Sequence, residues 1–130
     1  MLDIRKFVQE TLDNYFYDKN IEVWDEEKIN REVSMPDEYI VFSIENEVYA
    51  GYADNVPISK KYIVNVIWIG KDISKKSKRE EEILNIMQKN KFRVISSGRD
   101  LEKDANSSYY VFENFFNYFE VLPRNEINWV

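Results

Sequence analysis

The chain contains neither cysteine nor histidine, and it has only three glycines and three prolines among 130 residues. Without cysteine and histidine it cannot form disulfides, the usual zinc sites, or the Ser–His–Asp and Cys–His arrangements of nucleophilic enzymes. The glycines stand alone at positions 51, 70 and 98, so a glycine-rich phosphate loop of the usual spacing cannot be built. We therefore expect no enzymatic activity, no metal site and no cofactor. The lack of cysteine also suits a reducing cytoplasm.

Long apolar runs and a basic balance of charge are lacking too. No stretch approaches the ~20 apolar residues that span a bilayer, and the first residues lack the basic start and apolar run of a secretory signal. The net charge is −6, and the basic residues within segment 75–79 are followed at once by the acidic run 80–82. Nucleic-acid binders usually carry a basic face. We expect a soluble protein that binds neither a membrane nor a specific nucleic acid.

Aromatic residues are the abundant feature, because eight phenylalanines, nine tyrosines and three tryptophans make up 15% of the chain. Tyrosine and tryptophan suit surfaces that are buried against a partner at one end and wet at the other. A chain of this length forms one ordinary domain with a single core. Aromatic side chains that this core cannot hold are therefore expected at contacts with other protein subunits.

The spacing of apolar residues predicts two helices and five strands. Steps of three and four residues indicate helices, and steps of two indicate strands. The predicted elements are, in order, a helix 2–17, a short strand 21–24, strands 38–45 and 61–69, a helix 77–89, and strands 92–96 and 109–121. This order predicts an α+β fold, with a mostly antiparallel sheet of four to five strands and both helices packed against it. We expect a single domain over 1–130, with 122–130 as a C-terminal arm.

Local signals refine the ends of these elements. Asp3 is placed to cap the first helix or to lie in its first turn, and Ser77 with Glu80 has the spacing of a capping box. Segment 25–36 is polar and acidic at its start, which predicts a solvated loop. Segment 48–57 reads as extended chain ending in a polar turn, and 97–100 reads as a turn.

Alternation divides the last predicted strand into two aromatic faces. They consist of Tyr110, Phe112, Phe116 and Tyr118 on one side, and of Tyr109, Val111, Phe115 and Phe119 on the other. One face can fill the core, and the other must pack on a helix or on a neighbouring subunit, since exposed aromatic patches of this size are rare in monomers. Near the end of the chain, Trp129 either docks on the chain's own core or inserts into a partner.

One combination of features resembles a known family. The piece Tyr52-Ala53-Asp54-Asn55 is followed by a short turn and the strand 61–69. An N-terminal helix, a strand over 39–44, a helix ending in Lys91-Phe92 and the final strand surround it. Over roughly residues 2–121 this layout resembles the tail-terminator, or tail-completion, proteins of long-tailed bacteriophages and phage-tail-like particles.

The resemblance implies a structural role in particle assembly. Such proteins form a ring, usually a hexamer, that caps the head-proximal end of the tail tube and ends its polymerisation. The partners implied are copies of the same chain, the tail tube protein, a head-closure or collar protein, and the sheath where the tail contracts. The ring would form in the bacterial cytoplasm and stay in the virion or tail-like bacteriocin. DNA would pass through it without specific binding, and the net charge of −6 agrees with that.

A closed ring needs two different contact surfaces on each subunit, because its contacts are head to tail. The resemblance implies that the loop between the central strands, about 47–60, faces a neighbour or the tube. The aromatic face of the last strand supplies the other candidate surface. The predicted interface residues are Tyr49, Tyr52, Asp54, Asn55, Val56, Phe115, Phe119 and Trp129.

Replacing Asp54 and Asn55 with alanine is expected to leave the fold intact and to impair assembly, if the loop that holds them is an interface. The alternative is that the two residues only shape the turn, since Asp and Asn favour such positions. Soluble double-variant protein that assembles as well as the wild type would count against the interface role.

Other functions remain open at the level of the sequence. A head-closure or adaptor ring would use similar surfaces at a different position in the particle. A small regulatory or antitoxin-like binding module would act as a monomer or dimer. A tyrosine- or carboxylate-dependent enzyme would need a concave pocket with convergent Asp and Tyr side chains.

Overall fold

The computed structural model describes residues 2–28, 35–53, 56–100 and 108–122. Their order of elements is the predicted one, and the α+β class is confirmed. The helices and strands are α1 (Ile4–Phe16), β1 (Glu22–Asp25), β2 (Glu38–Ala53), β3 (Val56–Gly70), α2 (Lys76–Lys89), β4 (Arg93–Asp100) and β5 (Tyr110–Val121). Within these ranges, neither helix has the length and apolar character needed to cross a membrane.

The five strands form one sheet in the order β1-β2-β3-β5-β4. The short edge strand β1 runs parallel to β2, and every other neighbouring pair is antiparallel. The strongest strand pattern in the sequence, 61–69, lies in β3 at the centre, where Trp68 pairs with Ile40 on one side and Phe112 on the other. The β-branched content of β3 suits this doubly paired position.

Helix α1 forms where the sequence places it. The Asp3 side chain accepts a hydrogen bond from the Lys6 amide at 3.2 Å, so the predicted N-cap is confirmed. The buried stripe of the helix recurs every four residues at Ile4, Val8, Leu12 and Phe16. A short 3₁₀ turn follows, and Asn20 ends it in the left-handed conformation at φ 58°.

Helix α2 begins at Lys76 and not through the predicted capping box. Its N-cap is Lys75, whose side chain makes no capping hydrogen bond, so the Ser77–Glu80 box is wrong. The cause is a 3₁₀ turn, Ile73–Lys75, that runs directly into the helix. Asp72 caps this turn by accepting a hydrogen bond from the Ser74 amide at 3.0 Å. Ser77 therefore lies inside the first helical turn, where no capping role is left for it.

The core lies on one face of the sheet, under both helices. That face carries the even-numbered side chains of β3 and β5, and α1 and α2 contribute residues such as Leu12 and Met87. The Trp68 indole stacks on the Phe112 ring with centroids 5.2 Å apart. Of the two predicted aromatic faces of the last strand, the one with Phe112 and Phe116 is therefore the core face.

Asp25 and the segment 97–100, which were expected in a loop and a turn, lie in strands. Asp25, expected in a solvated loop, ends β1 and is buried, because the Arg5 guanidinium pairs with its carboxylate at 2.8 Å. The predicted turn 97–100 is the end of β4, which passes through two register shifts opposite β5. Gly98 supplies a positive φ of 66° there, and its amide donates to Asn114 Oδ1 at 2.8 Å. A bulge of this kind keeps the chain paired where sequence suggests a turn.

We expect Gly70→Ala to destabilise the protein by about 1–3 kcal/mol, because the added methyl group overpacks the core. A β-carbon at this position would lie 2.3 Å from Cζ2 of the buried Trp68 indole. Chemical denaturation of the variant measures the loss. The smaller ring of Trp68→Phe is the control background, in which the same alanine should be tolerated better. An equal loss in both backgrounds would show that the indole contact is not the cause.

Candidate protein interface

Strands β2 and β3 run beyond the rest of the sheet. Strand β1 pairs with β2 only as far as Phe42, and β5 pairs with β3 only as far as Ser59. The β2–β3 ladder nevertheless continues to the pair Ala53–Val56. We call residues 45–53 and 56–61 the ribbon; at its base, residues 59–61 also pair with β5. The prediction of a loop over 47–60 is therefore wrong, because the described residues of this segment form a paired two-stranded extension of the sheet.

Cross-strand contacts shape the ribbon near its base. Lys60 pairs with Tyr49, and its Nζ lies 5.8 Å from the Tyr49 ring centroid and 5.0 Å from that of Tyr62. Glu47 approaches the same ammonium group at 3.8 Å. These are the cross-strand aromatic and charge pairs that stabilise antiparallel ladders.

The ribbon exposes apolar side chains. Four of the nine exposed large hydrophobic residues in the described ranges lie on it, namely Val48, Tyr49, Tyr52 and Ile58. Every residue from 45 to 53 except Ala50 is exposed. An isolated two-stranded hairpin is only marginally stable in water, and concentrated exposed apolar surface marks contact sites. The ribbon is therefore the strongest candidate for a protein interface.

A register shift between Ile44 and Asn46 determines which way the ribbon side chains face. Beyond it, Val48 lies opposite Lys61, and Lys61 lies opposite Phe119, so the three share the sheet face that points away from the helices. Alternation places Tyr52 and Val121 on this face as well. We call the group Val48, Tyr52, Lys61, Arg93, Phe119 and Val121 the ribbon-base patch.

Two cations flank the aromatic ring of this patch. The Lys61 ammonium group lies 6.0 Å from the Phe119 ring centroid, and the Arg93 guanidinium lies 5.9 Å from it. Phe119 is 43% exposed and Val121 is 80% exposed. The ribbon-base patch therefore has an apolar centre with positive charge at its rim.

The predicted interface residues fall into three groups. Tyr49, Tyr52 and Phe119 are exposed, whereas Val56 and Phe115 are half-buried. Asp54, Asn55 and Trp129 lie outside the residues that the structure describes. Sequence reasoning missed Val48, Ile58 and Val121 as individual surface residues, together with Lys61 and Arg93. Val48 was missed because the register shift, which determines the face on which Val48 lies, cannot be read from alternation alone.

A cleft of about 930 Å³ lies between α1 and the edge strand β1. Tyr17, Ile21 and Trp24 supply aromatic and apolar surface, and Tyr17 is 80% exposed. Asp13, Asp18 and Glu22 add three carboxylates, and no lysine or arginine is among the described residues that line it. We call this the acidic cleft.

The edge of β1 that faces α1 is partly covered. Gln9 donates a hydrogen bond from its side-chain amide to the Val23 carbonyl oxygen at 2.9 Å, and the same nitrogen donates to Asp13 at 2.9 Å. Since this carbonyl is already paired, a peptide that adds a strand at this edge would have to displace Gln9. Side-chain contacts are therefore the expected mode of binding in the acidic cleft.

Four carboxylates outside the acidic cleft, those of Asp25, Glu27, Glu38 and Glu82, are engaged in ion pairs with arginine. Arg79 donates to Glu38 at 2.8 Å and to Glu82 at 2.7 Å, and the Trp68 indole donates to Glu38 at 2.8 Å. Arg5 holds Asp25 and Glu27 at 2.8 and 2.9 Å. Within the described ranges, no three acidic side chains converge in a way that would hold a metal ion. These groups tie helices to the sheet, which is a structural use of charge.

Glu82 makes part of the stability dependent on pH. Burial by itself raises the pKa of Glu82, but hydrogen bonds from Tyr15 and Arg79 and the nearby positive charges outweigh burial, so the pKa is lowered. A lowered pKa stabilises the fold above the ordinary glutamate value of about 4.3, and this contribution is lost as the pH falls through the folded-state pKa. Urea unfolding at pH 7 and pH 4 should thus lose less stability on acidification in Glu82→Gln than in the wild type. The same loss in both proteins would contradict this.

No protein-family model matches this chain, and no curated protein matches it either. The resemblance to tail-terminator proteins thus rests on the sequence pattern around Tyr52–Asn55 and on the order of the elements.

Proposed function

We propose that this chain is a structural assembly protein, a subunit of a ring that caps the head-proximal end of a phage or phage-like tail tube. The ribbon is the observation that carries this proposal. It is a paired two-stranded projection with Val48, Tyr49, Tyr52 and Ile58 exposed, and its tip extends past the strands that flank it. Such a projection suits a contact with a neighbouring subunit or with the end of a tube.

The distribution of surfaces supports a ring. The ribbon-base patch lies on the sheet face away from the helices, and the acidic cleft lies between α1 and β1 at the sheet edge. Head-to-tail contacts that close into a ring require two unlike surfaces on each subunit, and these two are unlike in position and charge. The aromatic content of the ribbon and of β5 supports protein contacts over catalysis.

Electron microscopy of particles that lack this protein tests the proposal. The reading frame is disrupted in the strain that produces the particles, and tail lengths are measured on negatively stained grids. We expect tubes of excessive and variable length without attached heads, and normal lengths when the intact chain is supplied from a plasmid.

Tubes of normal length and normal head attachment in the disrupted strain would overturn the proposal. Tubes of normal length that fail to join heads would instead favour a head-closure or adaptor ring. A tagged copy of the chain, located by gold labelling, identifies the end of the tube and separates these two outcomes.

A further inference from the structure

The ribbon-base patch and the acidic cleft are complementary in chemistry. The patch presents Phe119 and Val121 between the cations Lys61 and Arg93. The cleft presents Tyr17 and other apolar surface among three carboxylates. Interfaces commonly pair an apolar centre with charges of opposite sign at the rim, because such charges fix the register and suppress wrong partners.

The two surfaces cannot meet within one chain. The cleft lies beside β1, which pairs with residues 39–42 of β2 at one edge of the sheet. The patch lies across β3 and β5 and beyond the register shift at 44–46. Strand β2 therefore separates β1 from the strands that carry Lys61 and Phe119. A contact between patch and cleft must join two copies, and it leaves one free patch and one free cleft on each pair.

We propose that the ribbon-base patch of one copy docks into the acidic cleft of a second copy. This inference rests on the proposed function, because it names the self-contact from which the ring is built. The contact is head to tail, so repeating it produces a closed ring or an open filament, depending on the rotation between copies. Phe119 and Val121 would be covered by the cleft, and Lys61 and Arg93 would face Asp18 and Glu22.

The absence of cysteine allows a direct test by cross-linking. One cysteine is introduced in the cleft as Tyr17→Cys and one in the patch as Val121→Cys, both at side chains that are 80% exposed. The double variant, treated with a short bismaleimide at high protein concentration, should give a ladder of trimers and larger species. Each single variant should give no efficient product, since like positions do not meet in a head-to-tail contact. No ladder, or equally efficient dimers from a single variant, would overturn the inference.

Charge reversal supplies an independent test. Lys61→Glu with Arg93→Glu makes the patch negative, and Asp18→Lys with Glu22→Lys makes the cleft positive. Each variant alone places like charges together, so its self-association by sedimentation should be roughly a hundredfold weaker than that of the wild type. Mixing the two variants restores opposite charges at every contact and should restore assembly. A mixture that stays as weak as its components would overturn the inference.

Failure of this contact is distinguishable from failure of the proposed function. Charge-reversed chains that still limit tube length in complemented particles would leave the tail-terminator role intact and place the ring contact elsewhere. Cross-linked ladders and rescue by mixing, together with normal tails in the disrupted strain, would show a self-assembling protein with a different role.

Discussion

Shortening the ribbon is expected to abolish assembly while leaving the fold stable. In this variant residues 52–57 are replaced by Asn-Gly, which joins positions 51 and 58 through a tight two-residue turn that suits antiparallel strands. Complementation of the disrupted strain should fall to the level of the empty plasmid, because Tyr52 and the end of the projection are removed. Truncation of a central interface aromatic commonly costs 2 kcal/mol or more, roughly thirtyfold in affinity, and a ring multiplies that loss over every contact.

The fold should tolerate this deletion because the removed part contributes little to the core. Tyr52 is 62% exposed, and β5 ends opposite Ser59, before the deleted segment begins. We therefore expect a melting temperature within a few degrees of the wild type, measured by circular dichroism. The length-preserving variant Tyr52→Thr is the matched comparison. It keeps the ladder and removes only the aromatic ring, so it separates the effect of the ring from the effect of shortening. If the shortened chain complements as well as the wild type, the ribbon is not the interface.

The fold class was predictable because most elements combine a clear period with burial on one side. Helix α1 repeats its apolar residues every four positions and carries its own cap at Asp3, so local sequence and tertiary packing agree. Strand β3 is rich in β-branched residues around Trp68, and it lies at the centre of the sheet. When local preference and global packing point to the same structure, the pattern is sufficient.

The ribbon was not predictable as a strand, for a physical reason. Periodicity reports which side of an element is buried, and the ribbon residues of β2 are almost all exposed on both sides. The register shift after Ile44 also reverses the facing of every later residue in β2 relative to β3. The sequence therefore indicated extended chain around Tyr49 and Tyr52 but not that it is paired.

A long-range ion pair explains the error at Asp25. In the sequence, Asp25 resembles part of an acidic loop. In the structure, Arg5, twenty positions earlier in the chain, pairs with its carboxylate. Glu82 looks like one of three consecutive surface acids, yet it is buried against Arg79. Charge runs in a sequence carry no information on which member faces the core, because that depends on the partner that the fold brings near. The cations of the candidate interface were unpredictable for the same reason, since Lys61 and Arg93, which lie near the Phe119 ring, come from β3 and β4.

Replacing Arg79 with leucine is expected to be the most destabilising single change outside the apolar core. The Arg79 side chain is 11% exposed and bridges Glu38 of β2 and Glu82 of α2. Removing it leaves two largely desolvated carboxylates without their main counter-charge, a situation that costs about 3–5 kcal/mol. A domain of this size is stable by only about 5–15 kcal/mol, so urea unfolding should shift by a large fraction of its range.

The neighbouring residue provides the matched control. Lys78 is exposed on the same turn of α2, and Lys78→Leu should change the free energy of unfolding by no more than about 0.5 kcal/mol. Adding Glu38→Gln and Glu82→Gln to Arg79→Leu should recover part of the loss, because neutral amides leave no unpaired charge. If Arg79→Leu unfolds like Lys78→Leu, the ion pairs are not what holds α2 to β2. Because Glu38 pairs with Gly70, at the end of the β2–β3 ladder away from the ribbon, these variants should lower stability without altering the ribbon surface itself.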